Sequence, residues 1–211
     1  MPHQAKLTHI YFCLELQDVS INNSNTYVQN LISIFKEDFD ITLVRLDRNE
    51  KRFQTIDKKG YRILNIPLIC SENEREVLHH YRNITFLIKD IISAEQKNIF
   101  HLNSITNCFL AFWMHGLLKS KIILTVHDNY KKQKNTKIKY GDNFKRDILK
   151  SIERTKTLID ACNKVITTTQ YNHDYMNLIA SNNRSKIIFI PEIPLHSITY
   201  KEKMLTLYNN L

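Results

Sequence analysis

Two stretches of the chain, Lys121–Val126 (KIILTV) and Lys186–Ile190 (KIIFI), are apolar at almost every position. A strand with one face in water alternates apolar and polar residues, whereas a strand covered on both faces does not. Short, continuous apolar runs of this kind fit the doubly buried strands of a sheet with helices on both sides.

The rest of the chain supplies those helices. Strand-like runs at 9–15, 40–47, 61–68, 98–104, 121–128, 164–169 and 186–194 alternate with helix-like segments at 24–37, 71–93, 105–120, about 144–161 and 170–181. In the first helix Tyr27, Val28, Leu31, Ile34 and Phe35 recur at helical spacing, with Ser24 or Asn25 as N-cap. In the second, Ser71 followed by Glu74 reads as a capping box. The segment 105–120 is apolar nearly all round, as a helix buried against a sheet would be. This alternation predicts an α/β protein: one Rossmann-like, doubly wound domain with a mainly parallel sheet over residues 1–195. A helical tail or hinge is expected over 196–211.

Composition fits one such domain. The chain has 211 residues, 43% of them hydrophobic and 24% charged. With only 3 Gly and 4 Pro, many turns fall to Asn and Ser. The net charge of +9 favours an anionic partner, although a solvated basic surface gives the same sum. No helix-turn-helix or RNA-binding aromatic signature accompanies the charge, so nucleic acid is not the expected partner. Cys13, Cys70, Cys108 and Cys162 lie far apart beside apolar runs. They read as reduced, buried thiols of a cytoplasmic protein, and no Cys/His spacing suits a metal. The amino-terminal apolar stretch is broken by Glu15 and is not expected to be a signal peptide. The most apolar segment, Cys108–Leu118, falls far short of the roughly 20 residues that span a bilayer. Peripheral contact with the inner membrane face stays open.

Open α/β sheets bind ligands beyond the carboxyl ends of their strands. That rule selects residues 15–25, 101–105, 127–133, 168–172 and 191–196. The first of these holds Ser20, Asn22, Asn23, Ser24 and Asn25, and no glycine. Glycines would let the backbone approach a phosphate closely; side chains crowd that approach. Asn tolerates the left-handed turn, so a loop without glycine is still feasible. The later segments hold His101, Asn103 and Ser104; His127 and Asp128; Thr168, Thr169, Gln170 and Tyr171; Glu192 and His196. His127 and Asp128 are the candidates for chemistry, because imidazole titrates near neutrality and can hold or polarise a hydroxyl. A lysine-rich segment follows them directly, with Lys131, Lys132 and Lys134 as candidate anion-binding residues.

In order and spacing, NIFHLNS, KIILTVHD, CNKVITTTQYNHDYM and KIIFIPE resemble the N-terminal, acceptor-side domain of GT-B fold glycosyltransferases. The nearest group is the large retaining family of GT4-like bacterial sugar transferases. The resemblance covers about residues 8–195. It aligns His101 with the first histidine of a family strand end, and Asn103 stands where a second would be. His127 matches a histidine that in the family faces donor sugar and acceptor in the cleft. Thr169 takes the place of a serine and Glu192 that of an Asn before Gly. The Asn-rich stretch aligns with a Gly-rich loop whose glycines are absent here.

The resemblance implies one half of a GT-B enzyme. A second domain, with the Arg, Lys and Glu that hold a nucleotide sugar, has no counterpart in the sequence. The expected function is therefore that of an acceptor-side domain or subunit. It would transfer sugar to a glycan, lipid or protein acceptor, as in bacterial cell-surface glycan assembly, together with a separate donor-binding protein. No cofactor is expected beyond that partner-held nucleotide sugar. The alternative is a non-catalytic binding or regulatory subunit derived from the same fold.

The lysine cluster generates a first prediction. Each Lys near an anionic membrane contributes about 1 kcal/mol, so replacing all three by Gln should weaken binding to anionic vesicles roughly a hundredfold. The difference should shrink as salt shortens the Debye length to about 8 Å. Co-sedimentation at low and physiological salt measures it; equal binding of wild type and triple variant at low salt would rule the cluster out.

Overall fold

The computed structural model describes residues 6–16, 21–69, 73–92, 94–103, 108–118, 120–127, 142–191 and 197–211. The strands are β1 (Thr8–Leu16), β2 (Asp40–Asp47), β3 (Gln54–Lys58), β4 (Tyr61–Pro67), β5 (Lys97–Leu102), β6 (Lys121–Val126), β7 (Lys164–Thr167) and β8 (Ile187–Phe189). They form one sheet in the order β3-β4-β2-β1-β5-β6-β7-β8. Every pairing is parallel except β3 with β4. Six α-helices are described: α1 (Ile21–Phe35), α2 (Glu74–Ile91), α3 (Cys108–Leu117), α4 (Asp142–Ala161), α5 (Gln170–Ala180) and α6 (Ile198–Asn209).

Alternate residues of the central strands enter two cores. Ile10, Phe12 and Leu14 of β1 lie with Leu43, Ile99, Ile123 and Ile166 under α1 and α6, against Val28, Leu31, Phe35, Tyr200, Met204 and Tyr208. Tyr11 and Cys13 lie with Val44, Phe100, Leu102, Leu124 and Val165 under α2, α3, α4 and α5. The central strands are thus dry on both faces, as the run KIILTV of β6 suggests; β8 is instead the sheet's other edge, where Ile188 is half-buried and Phe189 exposed despite the run KIIFI. The segment after residue 196 is helical, and α6 is a full partner in the first core: Met204 and Tyr208 are completely buried.

Several boundaries differ from the sequence reading. β3 falls in a stretch that reads as a polar connection. Its edge position leaves Thr55, Asp57 and Lys58 exposed, so no apolar alternation marks it. A turn at Lys59–Gly60 joins it to β4, with Gly60 at φ 86°, the left-handed backbone that glycine adopts without strain. The first helix starts at Ile21, not after a cap at Ser24 or Asn25. The backbone of Asn22–Asn25 therefore lies at the start of the helix. The cap of α2 is Asn73, whose side chain accepts a hydrogen bond from the Arg75 N–H at 3.0 Å; Glu74 is the first helical residue, not the far end of a capping box. Asn caps as well as Ser does, and Ser71 lies outside the described residues.

Core packing yields a quantitative expectation. Met204→Ala should lower the unfolding free energy by about 2–5 kcal/mol, while exposed Lys203→Ala should stay within about 0.5 kcal/mol of wild type. Urea denaturation distinguishes them; a Met204→Ala loss no larger than that of Lys203→Ala would show that α6 does not close this core.

A polar cluster at the carboxyl edge of the sheet

The chain turns back on itself at β1. β2 and β4 lie to one side of it and β5–β8 to the other, so the strand order reverses between β1 and β5. Ligands of open parallel sheets bind at the carboxyl side of such a point. Asn103 stands there, its backbone N–H donating to Cys13 O at 3.1 Å. His127 follows β6, one strand away.

His101 does not face the open edge. It is completely buried, with Nδ1 2.8 Å from the Tyr208 hydroxyl and Nε2 2.6 Å from Thr125 Oγ1. Burial, helped by repulsion from His127, pushes its pKa down to about 3. A neutral imidazole has one N–H and one acceptor nitrogen, so His101 donates to one hydroxyl and accepts from the other. It ties β5, β6 and α6 together inside the core.

His127 is partly exposed. The ring of Tyr27 meets it edge-on at 4.3 Å between centroids. The Tyr27 hydroxyl is in turn hydrogen-bonded to that of Tyr200. The imidazole is therefore held against α1, which is latched to α6. Asn103 is fully buried, its Nδ2 donating to His101 O at 2.9 Å and to Cys13 O at 3.4 Å. Thr169 caps α5: its Oγ1 accepts from the Asn172 N–H at 3.2 Å and its carbonyl from the His173 N–H at 3.0 Å. Thr168 Oγ1 donates to Val126 O at 3.4 Å. Gln170 spends its amide on Asp174 at 2.8 Å.

The fold thus brings Asn103, His127 and Thr169 to one edge on neighbouring strands, and sends His101 inward. Asn25 is half-buried in α1, and only the backbone of Asn22, Asn23 and Ser24 is described. Ser20, Asp128, Lys131, Lys132, Lys134 and Glu192 lie outside the described residues. Three other residues near the edge were not named as candidates in the sequence. Tyr27 reads as one apolar position of a helix face. Glu15, largely buried, accepts from the Tyr81 hydroxyl at 3.0 Å; a lone carboxylate ending an apolar strand was the signal. Asn172 lies inside the selected window 168–172 but is not singled out there.

Among the described residues no three His, Cys, Asp or Glu side chains converge as metal ligands, and no helix is long and apolar enough to cross a membrane. Cys13 and Cys162 are buried thiols; burial raises both pKa values, that of Cys162 to about 12.

No protein-family profile and no curated protein sequence matches the chain. Solved structures do. A sucrose-phosphate synthase from Thermosynechococcus elongatus matches with a TM-score of 0.66 at 13% identity, over 87% of this chain and 48% of that one. A lipopolysaccharide outer core galactosyltransferase in its apo form matches at 0.54 and 11%, over 86% and 44%. A UDP-forming α,α-trehalose-phosphate synthase from Burkholderia vietnamiensis matches at 0.54 and 8%, over 85% and 44%. At these identities the likeness is one of fold. The chain is a single Rossmann-like domain of the kind that makes up one half of a GT-B fold, and it spans less than half the length of each of these structures.

The His101 environment sets an acid limb of stability. Its pKa is about 3 in the folded chain against about 6.5 when unfolded, so between these values the unfolded state binds the extra proton. Stability from this group is complete above pH 6.5 and falls below it by up to about 1.4 kcal/mol per pH unit. His101→Gln should be less stable near neutrality yet lose less on acidification. Urea titrations between pH 6.5 and 4.5 with equal slopes for the two proteins would refute the buried neutral imidazole.

Proposed function

We propose that this chain is the acceptor-side domain of a glycosyltransferase, acting with a separate nucleotide-sugar-binding domain or chain. The observation that carries the proposal is the match to half of three structures whose names are those of sugar-transferring enzymes, with the polar cluster at the carboxyl edge of the sheet. In this reading the chain binds and orients an acceptor hydroxyl. His127, seated on Tyr27, holds that hydroxyl or takes up its proton, and Asp128 is its neighbour in sequence. The partner supplies the donor sugar and the groups that bind its diphosphate. Lys131, Lys132 and Lys134 attract the phosphate of an acceptor or of the cytoplasmic membrane face.

A second reading, a non-catalytic binding subunit, is favoured by one observation. Residues 17–20 alone join β1 to α1, and neither they nor the opening of the helix contains glycine. A diphosphate has no glycine-lined approach there.

The deciding measurement is transfer from labelled nucleotide sugars. The purified chain alone should turn over none of them. Transfer should appear when the separate donor-binding protein is added, and His127→Ala should reduce it about 100-fold or more. Turnover by the 211-residue chain alone would overturn the divided-enzyme reading. Transfer unaffected by His127→Ala would remove that residue from the chemistry.

A further inference from the structure

The helix α3 is apolar on nearly every side: Cys108–Leu117 reads CFLAFWMHGL. A helix of that kind is normally covered all round. Its inner side is covered, with Leu110, Ala111 and Met114 completely buried. Its outer side is not. Phe112 is 49% exposed, and Phe109 and Trp113 are half-buried.

Arginines from the two neighbouring helices flank this aromatic ridge. Arg82 of α2 lies over the rings of Phe86 and Trp113, 5.4 and 5.7 Å from their centroids. Arg154 of α4 lies over Phe109 at 5.8 Å. Phe112 meets Trp113 edge-on at 5.3 Å, and the indole N–H donates to Leu78 O at 3.0 Å. Phe109 is one helical turn from Phe112 and Trp113, so the contacts form one surface across three helices. Both arginines are exposed, and Phe86 is itself 37% exposed.

The charge continues along α2. Arg75, His79, Arg82, Phe86 and Lys89 follow at alternating spacings of four and three residues and are all exposed, so they share one face. The acids of the helix, Glu74, Glu76 and Asp90, fall near its two ends and outside that stripe.

An exposed patch of this composition marks a binding surface. Its occupant has to offer anions and apolar groups side by side. A purely apolar protein face leaves the cations unpaired. A nucleic acid offers phosphates and base faces, but here Arg82 already lies on the rings of Phe86 and Trp113, where a base would stack. An anionic lipid surface supplies phosphates above and acyl chains below, the boundary at which Phe and Trp settle beside Arg and Lys. At 10 residues α3 is too short to span a bilayer and suits a position within that boundary.

We infer that the outer surface of α2 and α3 docks on an anionic membrane, with Phe86, Phe112 and Trp113 against the acyl chains and Arg82, Lys89 and Arg154 on headgroup phosphates. The inference uses no residue of the polar cluster and does not depend on the acceptor-side reading. It also differs from a role for Lys131, Lys132 and Lys134, which would hold a vesicle by charge without seating a ring in it.

Trp113 is the chain's one tryptophan, so its fluorescence reads the proposal directly. The purified chain is titrated with vesicles of phosphatidylcholine, of phosphatidylcholine with phosphatidylglycerol, and of the same mixture carrying brominated acyl chains. Emission should shift to the blue with the anionic vesicles, stay unchanged with the neutral ones, and be quenched by the brominated chains. Phe112→Ser should weaken binding about tenfold, and Arg82→Gln about fivefold. If either variant does not fold, quenching of the wild-type chain carries the test. Binding without quenching by the brominated chains places attachment on another surface, such as the lysine cluster, and overturns the proposal. No response to anionic vesicles, equal binding to neutral ones, or an equal Trp113 response to single-stranded RNA overturns it as well.

Discussion

A sheet covered on both faces leaves its polar side chains no water, so each must find a partner within the protein. That constraint organises this molecule. His101, one residue before the end of β5, is completely buried, so Thr125 from β6 and Tyr208 from α6 close on its two nitrogens. Thr85 returns its hydroxyl to Tyr81 O one turn back, and Tyr81 gives its own to Glu15. The helices are fixed over the sheet by these bonds as well as by apolar contact. Most of the bonds are directional, so they select one placement of α6 and α2 where hydrophobic burial alone would allow several.

The helix α6 shows how the two kinds of force combine. Tyr200, Met204 and Tyr208 recur at four-residue spacing and present one buried face to the sheet. Lys97, at the start of β5, donates from Nζ to Tyr208 O at 3.0 Å and Asn209 O at 3.2 Å. A cation thus meets the carbonyl end of the helix, where the aligned peptide dipoles favour positive charge. Lys201 pairs with Asp38 at 2.8 Å on the more exposed side, which adds little to stability. The apolar face supplies most of the free energy, and the polar ends set the register.

The order of strands and helices was legible because it is written in periodicity, and periodicity reflects burial. β2 is the clearest instance: DITLVRLD begins and ends where the sequence places it. The edge strand β3 was not legible, because a strand that faces water has no apolar pattern to display. Cap positions were not legible either. SEN at 71–73 offers more than one capping side chain, and the choice depends on the angle at which the chain enters the helix. At the site, strand ends located Asn103, His127 and Thr169, but spacing alone cannot tell an outward histidine from an inward one. His101 and His127 both belong to β-strand termini in the sequence. Strand β5 and its continuation put His101 on the core face at full burial, whereas His127 comes one residue after the last strand residue of β6 and keeps some exposure.

That difference separates architecture from chemistry. A group sealed in the core is held neutral by burial, as His101 is, and can shape a site without taking part in it. A group one residue beyond the last strand residue can keep part of its surface exposed, as His127 does. His127 has Tyr27 behind it, and Tyr27 is braced by Tyr200. The partly exposed histidine is thus supported by the helix pair that the buried histidine helps to seat. The sheet ends where apolar burial ends, and polar side chains first become available to a substrate at that boundary. A parallel sheet wound on both faces places this boundary along a single edge, which is why Asn103, His127 and Thr169, far apart in the sequence, come to neighbouring strand ends.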